Sequence, residues 1–326
     1  MDVRSLIDDG LEVTVVGSFT SIGYRVRCRL YGWTPPPAGA LDGRTVLITG
    51  PTSGLGRAAT DALAALGARV ILVGRSRERL ALVRDDLVAA HGEDRFPIVV
   101  ADMSSLASVR AAVAEVIETE QRLDVLIDNA GAIYPERSEG PDGIESTLAT
   151  LVVGPFVLES GLLPLLQRTA GSRVIAVTSG GMYTQRLHLD DLQWTAEPFS
   201  GARAYARAKR AQVALVREWA RRLGGSGVVV NAMHPGWADT AGLAESLPGF
   251  YAAMKPLLRT PAEGIDTLVW LATDPSAGPV SGAIFLDRRT RPFDRVPATR
   301  VAAHERRHLW DIVVGLSGSP DPLPES

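Results

Sequence analysis

From Arg44 onward, short apolar runs alternate with longer stretches in which apolar positions recur every three or four residues. The short runs span residues 45–49, 69–73, 98–101, 125–128, 174–178, 227–233 and 283–286. They are bounded by turn residues, rich in Val and Ile, and too short for helices, so they read as strands covered on both faces. Residues 55–66, 77–90, 106–118 and 202–223 carry the helical period between them. Gly67 stops the first of these and Gly224-Gly225 the last. This alternation predicts an α/β fold: a doubly wound parallel sheet of about seven strands, helices on both faces, in a single domain.

Two flanks stand outside that pattern. Residues 1–40 read as an N-terminal arm closed by the stiff linker Tyr31-Gly-Trp-Thr-Pro-Pro-Pro37. Within it, residues 22–31 mix arginines with apolar side chains. The reading is an arm packed on the main domain, with a membrane-surface or partner-binding segment as the alternative. The main domain then covers residues 41–287, with a substrate lid at about 238–262, and residues 288–326 form a C-terminal extension with a helix near 302–314.

Composition narrows the class. Hydrophobic residues make up 46% and charged residues 22%, as expected for a globular enzyme. A net charge of −3 argues against nucleic acid as a partner. The single cysteine, Cys28, excludes an intrachain disulfide and a cysteine-rich metal site and suits a reducing compartment. The N-terminus lacks a signal-peptide profile. The most apolar stretch, 151–166, is broken by Gly154, Pro155, Glu159, Gly161 and Pro164, which argues against a membrane span. A cytoplasmic protein is expected.

Of 34 basic residues, only Lys209 and Lys255 are lysine. Position 209 therefore reads as one that needs a compact ammonium rather than a planar guanidinium. Tyr205 lies four residues earlier, on the same helical face and within reach of that ammonium. An adjacent cation favours a phenolate, so the pair reads as an activated phenol acting as acid or base. Upstream, Thr49-Gly50-Pro51-Thr52-Ser53-Gly54-Leu55-Gly56 joins the first strand to the first helix. Glycines there let a pyrophosphate approach the amides of a helix N-terminus. The second strand ends Val73-Gly74-Arg75-Ser76, without a carboxylate for a ribose 2′-hydroxyl and with an arginine able to meet a 2′-phosphate. The cofactor reading is NADP(H), with NAD(H) the poorer fit. Ser179 closes the fifth strand, where parallel sheets open their ligand crevice.

In order and spacing these motifs resemble the short-chain dehydrogenase/reductase (SDR) family over roughly residues 41–287. The loop is similar to the family's TGxxxGxG turn, not to the GxGxxG of longer dehydrogenases or the TGxxGxxG of sugar-nucleotide epimerases. The wide Ser179–Tyr205 gap resembles the retinol-dehydrogenase-like branch. Ser179-Gly-Gly-Met182, the segment 233–240 and Leu247-Pro-Gly-Phe250 look closest to that branch's SDR-family-member-12-like proteins. The resemblance implies a Rossmann fold with cofactor-binding positions at Gly50, Thr52, Ser53, Gly54, Leu55, Gly56 and Arg75. It adds Asp102 and Met103 near the adenine, and Asn129-Ala130-Gly131 bracing the sheet beside the cofactor. Pro235, Gly236 and Thr240 would meet the nicotinamide carboxamide. Ser179 would orient the substrate oxygen and Tyr205 transfer its proton, while Lys209 lowers the tyrosine pKa and holds the nicotinamide ribose. His234, before Pro-Gly, reads as a structural strand-end residue. A lipophilic carbonyl or alcohol substrate, no metal, and a homodimer or homotetramer follow from the same resemblance. Leu243, Leu247, Phe250, Tyr251, Met254 and Leu257 would form the lid.

One position departs from the family. Leu151 stands where many members carry an asparagine that holds a water linking the lysine to solvent, and leucine makes no hydrogen bond. The expectation is a relay rerouted through Thr147, one helical turn earlier, or slow turnover. The alternative function is a catalytically impaired NADP(H)-binding sensor or scaffold.

Overall fold

Strand β1 (Thr45–Thr49) is buried along its length; Val46 and Ile48 enter one apolar cluster and Leu47 the other. A strand covered on both faces needs apolar side chains at successive positions, which is why no alternation shows in the sequence. The computed structural model, which describes residues 3–93 and 95–325, builds an eight-stranded sheet around β1. The other strands are β2 (Arg69–Gly74), β3 (Ile98–Val100), β4 (Val125–Asp128), β5 (Arg173–Val177), β6 (Val229–Met233), β7 (Ile284–Leu286) and β8 (Arg289–Arg291). Their order is β3-β2-β1-β4-β5-β6-β7-β8, parallel except for the last pair. The chain leaves β1 toward β2 and β3, then returns to place β4 on the other side. That reversal opens a crevice at the C-terminal ends of β1 and β4.

Three arm helices come first: α1 (Val3–Val13), α2 (Val15–Phe19) and α3 (Ser21–Tyr31). Helices α4 (Gly54–Ala65), α5 (Arg77–His91) and α6 (Leu106–Thr119) follow the first three strands. A one-turn helix α7 (Ser146–Leu148) leads through a π-turn at Ala149–Val153 into α8 (Gly154–Arg168). The long α9 (Gly201–Arg222) is followed by the short lid helices α10 (Ala241–Ser246) and α11 (Pro248–Met254), then α12 (Pro261–Thr273) and α13 (Ala303–Ser317). One face of the sheet is covered by α4, α5 and α12, the other by α6, α8, α9 and α13. Ser146–Arg168 is the one helical stretch among the described residues long and apolar enough to cross a membrane. Within the fold, 78% of its most apolar window is buried.

Strand and helix ends fall within two residues of the sequence expectations, except that α13 runs three residues past the expected end at 314. Strand β8 does not follow from the apolar pattern, because Arg-Thr-Arg carries no apolar signal. It forms through a two-residue turn in which Asp287 and Arg288 both take positive φ, the geometry that matches the twist of a hairpin.

That turn places Asp287 between two buried arginines. Arg27 on α3 reaches Asp287 at 2.6 Å and Asp8 on α1 at 2.5 Å, and Arg259 reaches Asp287 at 2.6 Å. Glu12 and Arg291 extend the network. It ties the arm to the sheet edge through fully buried ions. The outer side of the arm remains apolar and exposed at Val3, Leu6 and Val13. Asp287→Asn leaves two guanidinium groups buried with less countercharge and is expected to cost roughly 3–5 kcal/mol in urea unfolding. A loss under about 1 kcal/mol would show that the network does not hold the arm.

Candidate active site

The first helix of the sheet begins without a cap. Ser53 precedes Gly54, yet its side chain accepts no hydrogen bond from α4, so the first-turn amides are left for a group outside the helix. Gly50 and Gly54 take φ of +69° and +52°. A Cβ at Gly56 would collide with the Gly50 carbonyl and the Asn129 amide. Asn129 braces the turn from β4, donating to Thr49 O at 2.9 Å and Gly50 O at 3.1 Å. The Thr49 hydroxyl in turn accepts from the Asn129 and Ala130 amides at 3.0 and 2.9 Å. A close backbone cradle at an uncapped helix N-terminus fits a pyrophosphate.

Every catalytic and cofactor-binding position named from the sequence lines one cleft of about 630 Å³ at the β1/β4 crossover. Arg75 stands exposed at the end of β2, and Arg79, one turn into α5, joins it in the lining. Neither side chain makes a hydrogen bond or ion pair among the described residues, unlike most arginines of this protein. Arg79 was missed in the sequence, although its i+4 spacing from Arg75 carried the signal. The Asp102 carboxylate accepts from the amide and hydroxyl of Ser104 through one oxygen, and the residue lines the cleft.

Ser179 caps a 3₁₀ turn (Gly180–Thr184) after β5, its hydroxyl accepting from the Gly181 amide. Tyr205 on α9 lines the cleft beside that hydroxyl. Burial pushes the Tyr205 phenol up to about 12, only partly offset by Ser179. Burial therefore outweighs the neighbouring cation, opposite to the sequence expectation of a lowered pKa. Lys209 is itself buried, with Nζ 5.7 Å from the centre of the tyrosine ring. It donates to Val177 O at 2.7 Å and to Gln212 Oε1 at 3.2 Å. Burial lowers the Lys209 ammonium to about 8, with the Asp128 charge opposing the fall.

Thr147 is not the substitute relay. Its hydroxyl donates to Glu145 at 2.7 Å, and the residue does not line the cleft. Leu151 lies in the π-turn, fully buried against Gly131. Of the lid residues, Leu243, Leu247 and Phe250 line the cleft, together with Trp237, whose ring meets Phe250 edge-on at 5.0 Å. Tyr251, Met254 and Leu257 do not; Tyr251 instead donates to Asp239 at 2.9 Å. His234 is buried outside the lining, and burial holds it neutral by lowering its pKa to about 3. The arm closes the back of the site. Phe19 packs edge-on against His234 and Trp237, and its carbonyl accepts from the Trp237 amide at 2.8 Å.

Residues 44–248 match the family model for short chain dehydrogenases. The chain belongs to the short-chain dehydrogenase/reductase family. It is 36% identical over 273 residues to the human dehydrogenase/reductase SDR family member 12, covering 83% of this chain and 84% of that one. Human retinol dehydrogenase 14 is 36% identical over 320 residues, covering 90% and 92%. A short-chain dehydrogenase structure from Escherichia coli CFT073, complexed with NADPH, superposes with a TM-score of 0.65 at 25% identity, covering 78% of this chain and all of the other. SDR proteins are oxidoreductases that bind a nicotinamide cofactor and act on small molecules.

Gly56→Ala tests the cradle. The added methyl must displace the Gly50 carbonyl or the Asn129 brace, so NADPH binding by fluorescence titration is expected to weaken tenfold or more, with stability lowered by about 1–3 kcal/mol. Unchanged binding would show that this turn does not carry the dinucleotide.

Proposed function

We propose that this protein is an NADP(H)-dependent oxidoreductase that interconverts carbonyl and alcohol groups, with Tyr205 as the general acid and base. One observation carries the reading: Ser179, Tyr205 and Lys209 converge in the same cleft as the uncapped glycine cradle. The bound dinucleotide would supply or take the hydride at its nicotinamide ring. Gly50 and residues 52–56 would hold its pyrophosphate. Arg75 and Arg79, both without an ion partner among the described residues, would suit a 2′-phosphate, and the NADPH-bound E. coli neighbour supports that choice.

The protein groups then divide the work. Tyr205, with its pKa raised, rests as a neutral phenol at neutral pH, the acid that carbonyl reduction requires. Ser179 lines the cleft beside it and can hold the same substrate oxygen. The Lys209 ammonium offsets the negative charge left on the phenol once its proton has gone. Ile133, Trp237, Leu243, Leu247 and Phe250 give the cleft an apolar wall. With retinol dehydrogenase 14 among the relatives, that wall supports a lipophilic substrate.

NADPH oxidation against a panel of lipophilic aldehydes and ketones tests this. Tyr205→Phe is expected to lower kcat by about 10²–10⁴-fold while leaving NADPH affinity within a few-fold. Lys209 is charged below its pKa of about 8 and neutral above it, so kcat for reduction should hold a plateau below pH about 8 and fall beyond it. Tight NADPH binding without turnover on any carbonyl would refute the enzymatic reading.

A further inference from the structure

Close to Lys209, but outside the cleft lining, strand β4 ends in a carboxylate. Asp128 is 2% exposed, and neither carboxyl oxygen has a hydrogen-bond donor among the described residues. Glu159, facing it from α8, is 8% exposed, and the two carboxyl groups lie close enough to interact directly and to share a proton. A hydrogen bond between two carboxyls requires a proton on one of them. Their surroundings are apolar: Leu126, Phe156 and Leu162 belong to the same core cluster, and the Trp219 indole facing Glu159 has no other partner for its N–H.

Two carboxylates buried together cannot both ionise, and an isolated one would cost several kcal/mol. A nearby ammonium changes which of them carries the charge. With Asp128 ionised, Glu159 protonated and Lys209 charged, the three groups sum to zero, and the orphaned Asp128 oxygens gain a donor.

We propose that Asp128 and Glu159 form a one-proton carboxyl pair that keeps the buried Lys209 ammonium charged, standing in for the amide relay that Leu151 cannot provide. They are positioning residues acting through Lys209, and the inference rests on the catalytic reading of Tyr205 and Lys209 given above. Burial raises both carboxyl pKa values, and the Asp128 charge raises that of Glu159 further, which favours one proton held on the pair. The other segments packed near Lys209 contribute little charge. The π-turn carries no ionisable side chain, Tyr183 in the 3₁₀ turn donates to Pro292 O, and β5 offers the Val177 carbonyl. Tyr205, one turn away on α9, is neutral at rest.

The scarcity of lysine supplies the test. Lysine-specific ¹³C labelling gives side-chain signals from two residues, Lys209 and the exposed Lys255, and Lys209→Met assigns them. In the protein without cofactor, Asp128→Asn removes the countercharge and should lower the Lys209 titration midpoint by about 1 pH unit or more. Glu159→Gln removes the competing acid, leaves Asp128 ionised, and should leave that midpoint unchanged or raise it. The infrared carbonyl band of a buried protonated carboxyl should be present in the parent protein at neutral pH and vanish in Glu159→Gln. The high-pH limb of kcat should move with the Lys209 midpoint in each variant. A Lys209 midpoint indifferent to Asp128→Asn, or a parent protein without the protonated-carboxyl band, overturns the proposal. If one variant fails to fold, the other and the infrared band still decide it. Because the NMR and infrared readouts need no substrate, they stand even if no carbonyl is turned over, an outcome that would instead sink the enzymatic reading.

Discussion

The site depends on keeping a cation in a place that disfavours cations. Lys209 is 2% exposed, and taking an ammonium out of water costs several kcal/mol unless oxygen atoms replace the lost hydration. The replacement is local: a β5 carbonyl, the Gln212 amide and the Asp128 charge. Ala206, Ala208 and Ala211 keep α9 slim where it meets the sheet, and the Thr178 hydroxyl donates to the Lys209 carbonyl. A guanidinium is bulkier and needs a planar set of acceptors, which explains why an arginine-rich chain keeps lysine here. The same burial raises the tyrosine above it, so one low-polarity environment tunes both groups.

The arm bears on this site through backbone rather than through chemistry. Phe19 fills the space beside Gly180, where any side chain would meet its ring, and its carbonyl holds Trp237. Arg259 donates to the carbonyls of Ser18, Phe19 and Thr20 while its guanidinium is fixed by Asp287. The turn after Ser179 and the segment carrying Pro235 and Gly236 are therefore backed by residues far away in sequence. The C-terminal helix does similar work for α9: Trp310 packs edge-on against Trp219 at 4.7 Å.

Much of this was legible in the chain because parallel strands announce themselves as apolar runs and their C-terminal ends carry the ligand. Gly50, Asp102, Asn129 and Ser179 all follow strand ends, so placing the strands placed the site. The failures have physical causes. Thr147 was expected one α-turn before Leu151, but the chain there widens into a π-turn and Glu145 takes the threonine hydroxyl. The Tyr205 pKa was expected to fall, since proximity to a cation is visible in sequence whereas burial is not. Asp128 and Glu159 are 31 positions apart and read singly as a strand end and a break in an apolar helix. Only the packing of α8 on β4 makes them a pair. The arm helices escaped notice because their buried side includes Asp8 and Arg27, ions that no apolar period records.

The most direct measurement is a crystal structure of the protein grown with NADP⁺. The nicotinamide ring is expected beside Tyr205 and Ser179, with the adjoining ribose on Lys209, the pyrophosphate on the amides following Ser53, and the 2′-phosphate between Arg75 and Arg79. A dinucleotide bound elsewhere, or in the cleft with its nicotinamide turned away from Tyr205, would contradict the assignment of this cleft as a hydride-transfer site.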